Sequence, residues 1–424
     1  MTKLFQNKNN SIFYFLIIVL TLLFLSVFAL SYLKVINFWS FSQAHVNYFE
    51  GYVRRGLFGT IMLSSENFLG ISTRFFFSSF FVIFYTINIL IFLKLVAQYK
   101  ESKILIFFII LNPTLVVFPF NDLGGYARFD IISIILVLLH AYFINNFLKN
   151  NISLDSYLFR LKWILMPLII ISLLIHEIQI FTLPFHFLLT LNILKKNYVK
   201  TLQKYLILVP IVLFILLFHA DETIHNLMMI GLSEKGVWGD AVSIQSKKPS
   251  LDLYIYGIKT NILNFYNLKY HILMVIVSTL PFAALYVFFK KKKIIFNNYI
   301  KNDFLTLILM LAPLLFGLLV GDFGRWVNIM SFVSFAFFAQ FPITKKINLQ
   351  FINYKNISSF FIGLFLLLSI FYFVFFIRIP HCCNLQEKQL TLSGGLINKV
   401  IAIIKTVTKI SEDKDYNLDL RFQK

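Results

Sequence analysis

Residues 163–194 read WILMPLIIISLLIHEIQIFTLPFHFLLTLNIL, a run of 32 residues in which Glu177 is the only Asp, Glu, Lys or Arg. A membrane-spanning helix needs about 20 apolar residues, so the run is too long for one ordinary span and slightly short for two. His176 and Glu177 lie near its middle, where a turn would fall, and Pro184 follows. We expect a recessed hairpin that turns at His176-Glu177. The alternative, a single long tilted helix, would invert the topology of every downstream segment.

Apolar runs of this kind recur from one end of the 424-residue chain to the other. Hydrophobic residues make up 58% of the sequence and charged residues only 14%, against roughly 25% in soluble domains. The mean hydropathy of +0.78 agrees. The composition predicts an all-α, polytopic integral membrane protein with about eleven transmembrane helices. Besides the two in 163–194, the predicted spans are 12–33, 75–95, 104–119, 129–147, 205–220, 271–289, 304–320, 327–343 and 358–378.

The net charge of +20 arises largely from basic clusters between apolar runs, such as Lys195-Lys196 and residues 290–293. Cytoplasmic loops of membrane proteins retain Lys and Arg in this way. No zinc-finger spacing or RNP-like motif accompanies the charge, so we exclude a nucleic-acid partner. With the N-terminus in the cytoplasm, the acidic residues of the inner segments are confined to Glu101, Asp155 and Asp303.

This orientation divides the chain into a transmembrane domain, 1–378, and an extramembrane tail, 379–424. The run 12–33 is too long for a signal-peptide core and is expected to be a retained helix. Two external loops are long, 34–74 and 221–270. Interfacial helices are expected in the external segments, at 60–68 and at 396–410 in the tail.

Charged residues beside the bilayer are costly and tend to be paired and functional. In the first external loop, Glu50 is followed by Arg54 and Arg55, whose guanidinium groups suit a phosphate or diphosphate. The adjacent Gly56 and Gly59 would permit close approach of a backbone. A simpler interpretation is an ion pair between Glu50 and Arg54 on a helix surface, because these two residues have i,i+4 spacing.

A second charged segment contains Asp122, Arg128 and Asp130 between two apolar runs, and a glycine turn explains only part of it. A further segment contains Asp322 and Arg325, which could simply pair with each other in a tight turn. Weaker candidates lie at 238–240 in the second long loop.

His176 and Glu177 form the remaining cluster, at the turn of the expected hairpin. His176 is a candidate proton carrier and Glu177 a candidate base or metal ligand, although a structural histidine is the simpler interpretation. A second histidine four residues later is missing, so the HExxH zinc motif is absent. His140, His186 and His219 are interpreted as ordinary helix residues.

All of these polar clusters fall on one face of the membrane in the predicted topology. A secondary transporter usually places its polar site near the bilayer midplane and often has internal repeats, and neither feature is visible here. The arrangement resembles the membrane-integral GT-C glycosyltransferases, including the Wzy-type polysaccharide polymerases. The resemblance rests on about eleven helices, on Glu50 before an expected interfacial helix, and on arginines in the external connections; an Arg-x10-Gly pattern is absent.

The resemblance implies a glycosyltransferase or polysaccharide polymerase of a bacterial inner (plasma) membrane, with its active face outside the cytoplasm. Its partners would be a polyprenyl-linked saccharide, an acceptor glycan and the lipid bilayer. No cofactor is required, although a divalent metal is compatible. Glu50, Glu177 and His176 are then the expected catalytic residues, and Arg54, Arg55, Asp122, Arg128, Asp130, Asp322 and Arg325 the expected substrate-binding residues. The alternative is a transporter or flippase for lipid-linked glycans.

Overall fold

The computed structural model describes residues 38–99, 127–194, 197–217, 221–233 and 323–340, with position 235 and a few positions between 109 and 118. Within these residues the chain forms helices and connections, and no strand. The helices are α1 (Phe38–Gln43), α2 (Gly56–Leu69), α3 (Thr73–Val96), α4 (Asp130–Leu148), α5 (Leu154–Ile175), α6 (Glu177–Ile193), α7 (Tyr198–Tyr205), α8 (Leu208–Leu217), α9 (Glu222–Ser233) and α10 (Phe323–Ala339). The fold is therefore all-α over the described part of the chain.

Three of these helices, α3, α4 and α5, are long and apolar enough to cross a membrane. The pair α7–α8 passes the same criteria together but is bent by 52°. Many large apolar side chains on α3 and α5 are exposed, including Leu90 and Trp163, as expected for helices that face lipid. The chain is thus a helical membrane protein.

Side-chain caps and glycine set several helix ends. The Ser72 side chain accepts a hydrogen bond from the backbone N–H of Phe75 at the start of α3, and Ser153 does the same for Ser156 at the start of α5. These caps satisfy backbone donors that a helix N-terminus leaves without an intrahelical partner. Gly70 ends α2 in the left-handed conformation, with φ 66°. Glycine adopts this conformation without a Cβ clash.

The run 163–194 folds back on itself at His176. The backbone of His176 is extended, with φ −160° and ψ 124°, between the end of α5 and the 3-10 turn Glu177–Thr182 that begins α6. The Tyr157 hydroxyl on α5 lies 3.4 Å from Oγ1 of Thr190 on α6. One continuous helix would separate these residues by about 50 Å, at 1.5 Å per residue. The described chain is therefore a hairpin, and the single tilted helix is excluded.

Contacts at both ends of the bundle fix the helix directions. Asp130, the first residue of α4, bonds to Arg325 near the start of α10, and Asn145 near the end of α4 donates to the carbonyl of Ala339. Gln98, just after α3, donates to the same carbonyl. Helices α3, α4 and α10 thus run parallel. α6 has the same direction, because His186 within it lies beside His140 of α4 and His176 before it lies near Asp130, and α5 runs in the opposite direction as the other arm of the hairpin. α8 also runs in the opposite direction, from Tyr205 beside His186 to Phe214 beside Tyr52. The starts of α4, α6 and α10 and the end of α5 meet at one end of the bundle.

Several predicted boundaries change. The predicted interfacial helix at 60–68 belongs to the longer α2, and the segment predicted as a span at 205–220 is broken between α7 and α8. The loop expected from 221 begins with a helix, α9. The spans at 12–33, 271–289, 304–320 and 358–378, most of 104–119, and the tail with 396–410 lie outside the described residues.

Candidate functional site

Two adjacent arginines converge on one buried carboxylate. Arg55 donates through Nε and Nη2 to the two carboxylate oxygens of Glu177, a bidentate pair between residues 122 positions apart in the chain. Nε of Arg54 lies 3.8 Å from Oε1 of Glu177. The Arg54 and Glu177 side chains are almost fully buried, with exposed fractions of 3% and 6%. Glu177 is therefore a structural partner of both guanidinium groups.

The backbone of Arg55 makes this convergence possible. Arg55 precedes α2 in the left-handed conformation, with φ 67°. This region is rare for residues other than glycine, asparagine and aspartate. Neighbouring side chains in an extended chain point to opposite sides. The left-handed backbone of Arg55 departs from this pattern, so the side chains of Arg54 and Arg55 both reach Glu177.

A second bidentate pair lies beside the first. Nε and Nη2 of Arg325 donate to the Asp130 carboxylate at 2.7 and 2.6 Å, and both residues are buried. Asp130 is in the first turn of α4, where a negative charge is favoured by the helix dipole. Arg325 therefore pairs across the bundle with Asp130. Asp322, its predicted partner, lies outside the described residues.

His176 stands between the two pairs. Its Nδ1 is 3.9 Å from Oε2 of Glu177 and accepts a hydrogen bond from the backbone N–H of Ile178 at 3.2 Å. Its ring contacts Phe129, the residue before α4, at a centroid distance of 6.1 Å. His176 interacts electrostatically with Arg55, Glu177, Arg325 and Asp130. We name these four residues, His176 and Arg54 the charged cluster.

The remaining predicted residues lie around this cluster or outside the described chain. Glu50 is exposed in a turn, so the helix-surface ion pair with Arg54 that the i,i+4 spacing allows has no helix to support it. Arg128 is half-buried and lines a narrow cavity with Asn88 and Asn328, which has room for about one water molecule. Asp122, Asp322 and the candidates at 238–240 are outside the described residues.

The two glycines after the arginines serve the packing of the protein itself. A Cβ at Gly59 would lie 2.0 Å from the carbonyl oxygen of Val46, and one at Gly56 would overlap the Tyr48 ring. The absence of side chains lets α2 pack directly on the segment before it. This close packing holds the arginines of the connection against Glu177.

The charged cluster is suited to holding an anion beside prearranged guanidinium groups. Bidentate carboxylates fix the orientation of Arg55 and Arg325, and a guanidinium presents five donors. The described residues contain no group of three or more His, Cys, Asp or Glu side chains arranged for a metal ion. The cluster has three guanidinium groups against two carboxylates, a surplus of one positive charge that an oxyanion would balance.

Tyr52 and a buried group around His140 and His186 are two further polar features that have no clear signal in the sequence. Tyr52 lies beside the charged cluster, and its electrostatic partners are Arg54 and Glu177. In a chain with 20 Tyr and 52 Phe, an additional aromatic residue carries no signal in the sequence. Its position two residues before the arginine pair is the only indication.

The second group is a closed hydrogen-bond ring inside the bundle. His140 and His186 face each other with their Nδ1 atoms 3.0 Å apart, and Nε2 of His140 is 2.9 Å from the Tyr157 hydroxyl. Thr190 joins the hydroxyls of Tyr157 and Tyr205, and Tyr205 donates to the His186 carbonyl. All five side chains are buried. His140 and His186, interpreted from the sequence as ordinary helix residues, lie on helices α4 and α6 and form a pair.

Comparison with known proteins gives no relative: no family model, curated protein or solved structure matches the chain.

Proposed function

We propose that the protein is a membrane glycosyltransferase or polysaccharide polymerase that takes a sugar or oligosaccharide from a polyprenyl (di)phosphate carrier. The observation that carries the proposal is the charged cluster. Four segments that are distant in sequence bring two bidentate arginine–carboxylate pairs, one buried and one partly buried, to one end of a bundle of apolar helices. Charged residues buried in a membrane protein are expensive and usually mark a functional site.

The distribution of charge supports an extracytoplasmic site. At the end of the bundle opposite the charged cluster, the described basic residues are Lys94, Lys149, Arg160, Lys162, Lys200 and Lys204, and Asp155 is the one acidic residue described there. At the end with the charged cluster, acidic and basic side chains are mixed. By the positive-inside rule, this distribution favours a cytoplasmic location for the opposite end. The proposal retains about eleven spans, the cytoplasmic N-terminus and a bacterial inner membrane.

In the proposed mechanism, arginine side chains stabilise the leaving group. The acceptor hydroxyl oxygen bonds to the anomeric carbon of the donor as the bond between that carbon and the phosphate oxygen breaks. The electron pair remains on the phosphate, where Arg54, Arg55 and Arg128 stabilise the added negative charge. Arg325 contributes from its pair with Asp130.

The proton of the acceptor hydroxyl passes to a carboxylate. Glu50 is the better base of the two acidic residues considered, because it is exposed and Glu177 is buried and bonded to Arg55 at both oxygens. A general base must reach the proton that it removes. Glu177 is then a positioning residue for the arginines, and His176 maintains the turn that presents it.

The test is transfer by the purified protein in proteoliposomes supplied with a polyprenyl-diphosphate-linked oligosaccharide and an acceptor glycan. Arg54→Ala, Arg55→Lys and Glu50→Gln should each abolish the longer glycan and the free carrier lipid. Lysine keeps the charge of Arg55 but cannot form the bidentate pair. Arg160→Ala, at the opposite end of the bundle, is the matched control and should keep full transfer. Full transfer by all three site variants would refute the proposal.

A flippase for the same lipid is the second candidate, and the closed hydrogen-bond ring favours it. Ionisable residues inside membrane helices are rare, and histidines among them form part of proton relays in pumps and transporters. A flippase would move the fluorescently labelled carrier lipid between leaflets without changing its saccharide. An enzyme would release the carrier lipid and lengthen the glycan, so one experiment separates the two candidates.

A further inference from the structure

Three aromatic rings form a platform beside the charged cluster. The Tyr52 ring stacks on Tyr48, with centroids 5.8 Å apart and planes 19° apart, and contacts Phe214 of α8 at 4.5 Å. Tyr48 is anchored by its backbone N–H, which donates to Oγ1 of Thr60 at 2.8 Å, and by its hydroxyl, which is 3.5 Å from the Leu174 carbonyl. Tyr52 is half-buried and Phe214 is 38% exposed, so the platform presents open ring surface.

The Tyr52 hydroxyl supplies a polar group at this platform. Among the described residues it makes no hydrogen bond, although it interacts electrostatically with Arg54 and Glu177. A tyrosine hydroxyl with its ordinary pKa of about 10 is protonated at neutral pH and can donate, and burial raises the pKa of Tyr52 further. A phenol next to arginines, with an open ring and an available donor, suits a ligand that is apolar on one side and hydroxylated at its edge.

A pyranose ring has both properties. Its C–H face is apolar and weakly positive, which complements the negative face of an aromatic ring, and its hydroxyl oxygens accept hydrogen bonds. A prenyl or acyl chain would cover the rings but would leave the Tyr52 hydroxyl without a partner. We propose that Tyr52, supported by Tyr48 and Phe214, is the saccharide subsite, with its ring against a pyranose of the carrier-linked substrate and its hydroxyl donating to a sugar oxygen. The inference rests on the proposed function and deepens it.

The test compares binding of two lipids to the protein in detergent micelles: polyprenyl diphosphate and the same lipid bearing one N-acetylhexosamine. Wild type should bind the saccharide-bearing lipid more tightly. Tyr52→Leu should weaken that binding by about 3- to 10-fold and leave binding of the bare lipid unchanged, and Tyr52→Phe should weaken it by about 2- to 10-fold. Tyr198→Leu removes another exposed ring, at the start of α7 far from the site, and should change neither affinity.

The outcomes separate the subsite from the proposed function. If wild type binds both lipids equally, carrier recognition stands and the saccharide subsite is refuted. If wild type binds neither lipid, both fail. The subsite is also refuted if Tyr52→Leu lowers the affinity for both lipids equally or lowers neither affinity. If Tyr52→Leu does not purify as a folded protein by circular dichroism, the affinity ratio of Tyr52→Phe decides alone.

Discussion

The pair Asp130–Arg325 gives a quantitative test of the charged cluster. Its two hydrogen bonds, at 2.6 and 2.7 Å, join α4 to α10 where both side chains are buried. Replacing Asp130 with Leu leaves a buried guanidinium without this carboxylate, and replacing Arg325 with Met leaves a buried carboxylate. Removal of one partner from a buried ion pair costs about 3–5 kcal/mol, so each single variant should lose about that much of its free energy of unfolding.

The double variant Asp130→Leu/Arg325→Met should be more stable than either single variant. When both charges are replaced by apolar side chains of similar volume, the cost of removing them from water disappears, and the change is often neutral or stabilising by about 1–4 kcal/mol. With at least about 3 kcal/mol lost in each single variant and none in the double variant, the double-mutant cycle should give a coupling of at least about 6 kcal/mol. The same variant should lose binding of polyprenyl diphosphate, because the Arg325 guanidinium is missing. Since its fold is retained, this loss would report on the arginine and not on unfolding.

The assay is denaturant unfolding in mixed micelles, followed by far-UV circular dichroism and by fluorescence. Trp326, next to Arg325, packs edge-on against Phe181 with centroids 4.9 Å apart and provides a local probe. Additive single effects, with a coupling near zero, would mean that the two residues do not pair. A stable double variant that still binds the lipid diphosphate would remove Arg325 from the substrate site.

Three further predictions concern the surrounding fold, each measured as the free energy of unfolding in detergent. Gly59→Ala should destabilise the protein by about 1–3 kcal/mol or more, because the added Cβ would meet a backbone carbonyl. Its control, Gly231→Ala, should stabilise the protein by about 0.5–1 kcal/mol, because a Cβ there meets nothing described within 4 Å. Equal effects of the two variants would contradict the close packing at Gly59. Burial lowers the pKa of His45 to about 4, so the unfolded state binds more protons than the folded state between about pH 6.5 and 4. The free energy of unfolding should therefore fall by roughly 3 kcal/mol as the pH drops through this window, and His45→Gln should flatten this pH profile. An unchanged slope in His45→Gln would refute the role of His45. Tyr157→Phe should cost about 1–3 kcal/mol by opening the closed hydrogen-bond ring, and the partly exposed Tyr142→Phe should cost less; a neutral Tyr157→Phe would argue against the ring.

Local signals in the sequence predict the helices better than their partners. The length of 163–194 and the charged position at its centre are enough to predict the turn at His176, because the bilayer limits how long an apolar helix is useful. The bend between α7 and α8 and the helix α9 have no comparable signal. α9 mixes polar residues with Met and Leu, and its apolar side packs on Val46 and Val53, which no local pattern specifies.

The members of the charged cluster can be selected from the sequence, but their pairing cannot. Spacing favours local pairs such as Glu50 with Arg54, whereas the structure pairs Arg55 with Glu177 and Arg325 with Asp130, the latter 195 positions apart. Burial decides between these possibilities, because a carboxylate removed from water gains far more from a charged partner than an exposed one does. Burial of a particular side chain depends on the packing of helices, which periodicity alone does not determine.

The left-handed backbone at Arg55 sets two contributions to stability against each other at a single position. An L-residue with a side chain costs about 1–2 kcal/mol in this conformation, and glycine avoids the cost. Replacing Arg55 with Gly would remove that cost, but the buried Glu177 carboxylate would lose its bidentate partner, and breaking a buried ion pair costs about 3–5 kcal/mol. A library screened only for heat resistance should therefore keep arginine at this position in spite of its backbone, so retention of Arg55 in such a screen would report on stability alone.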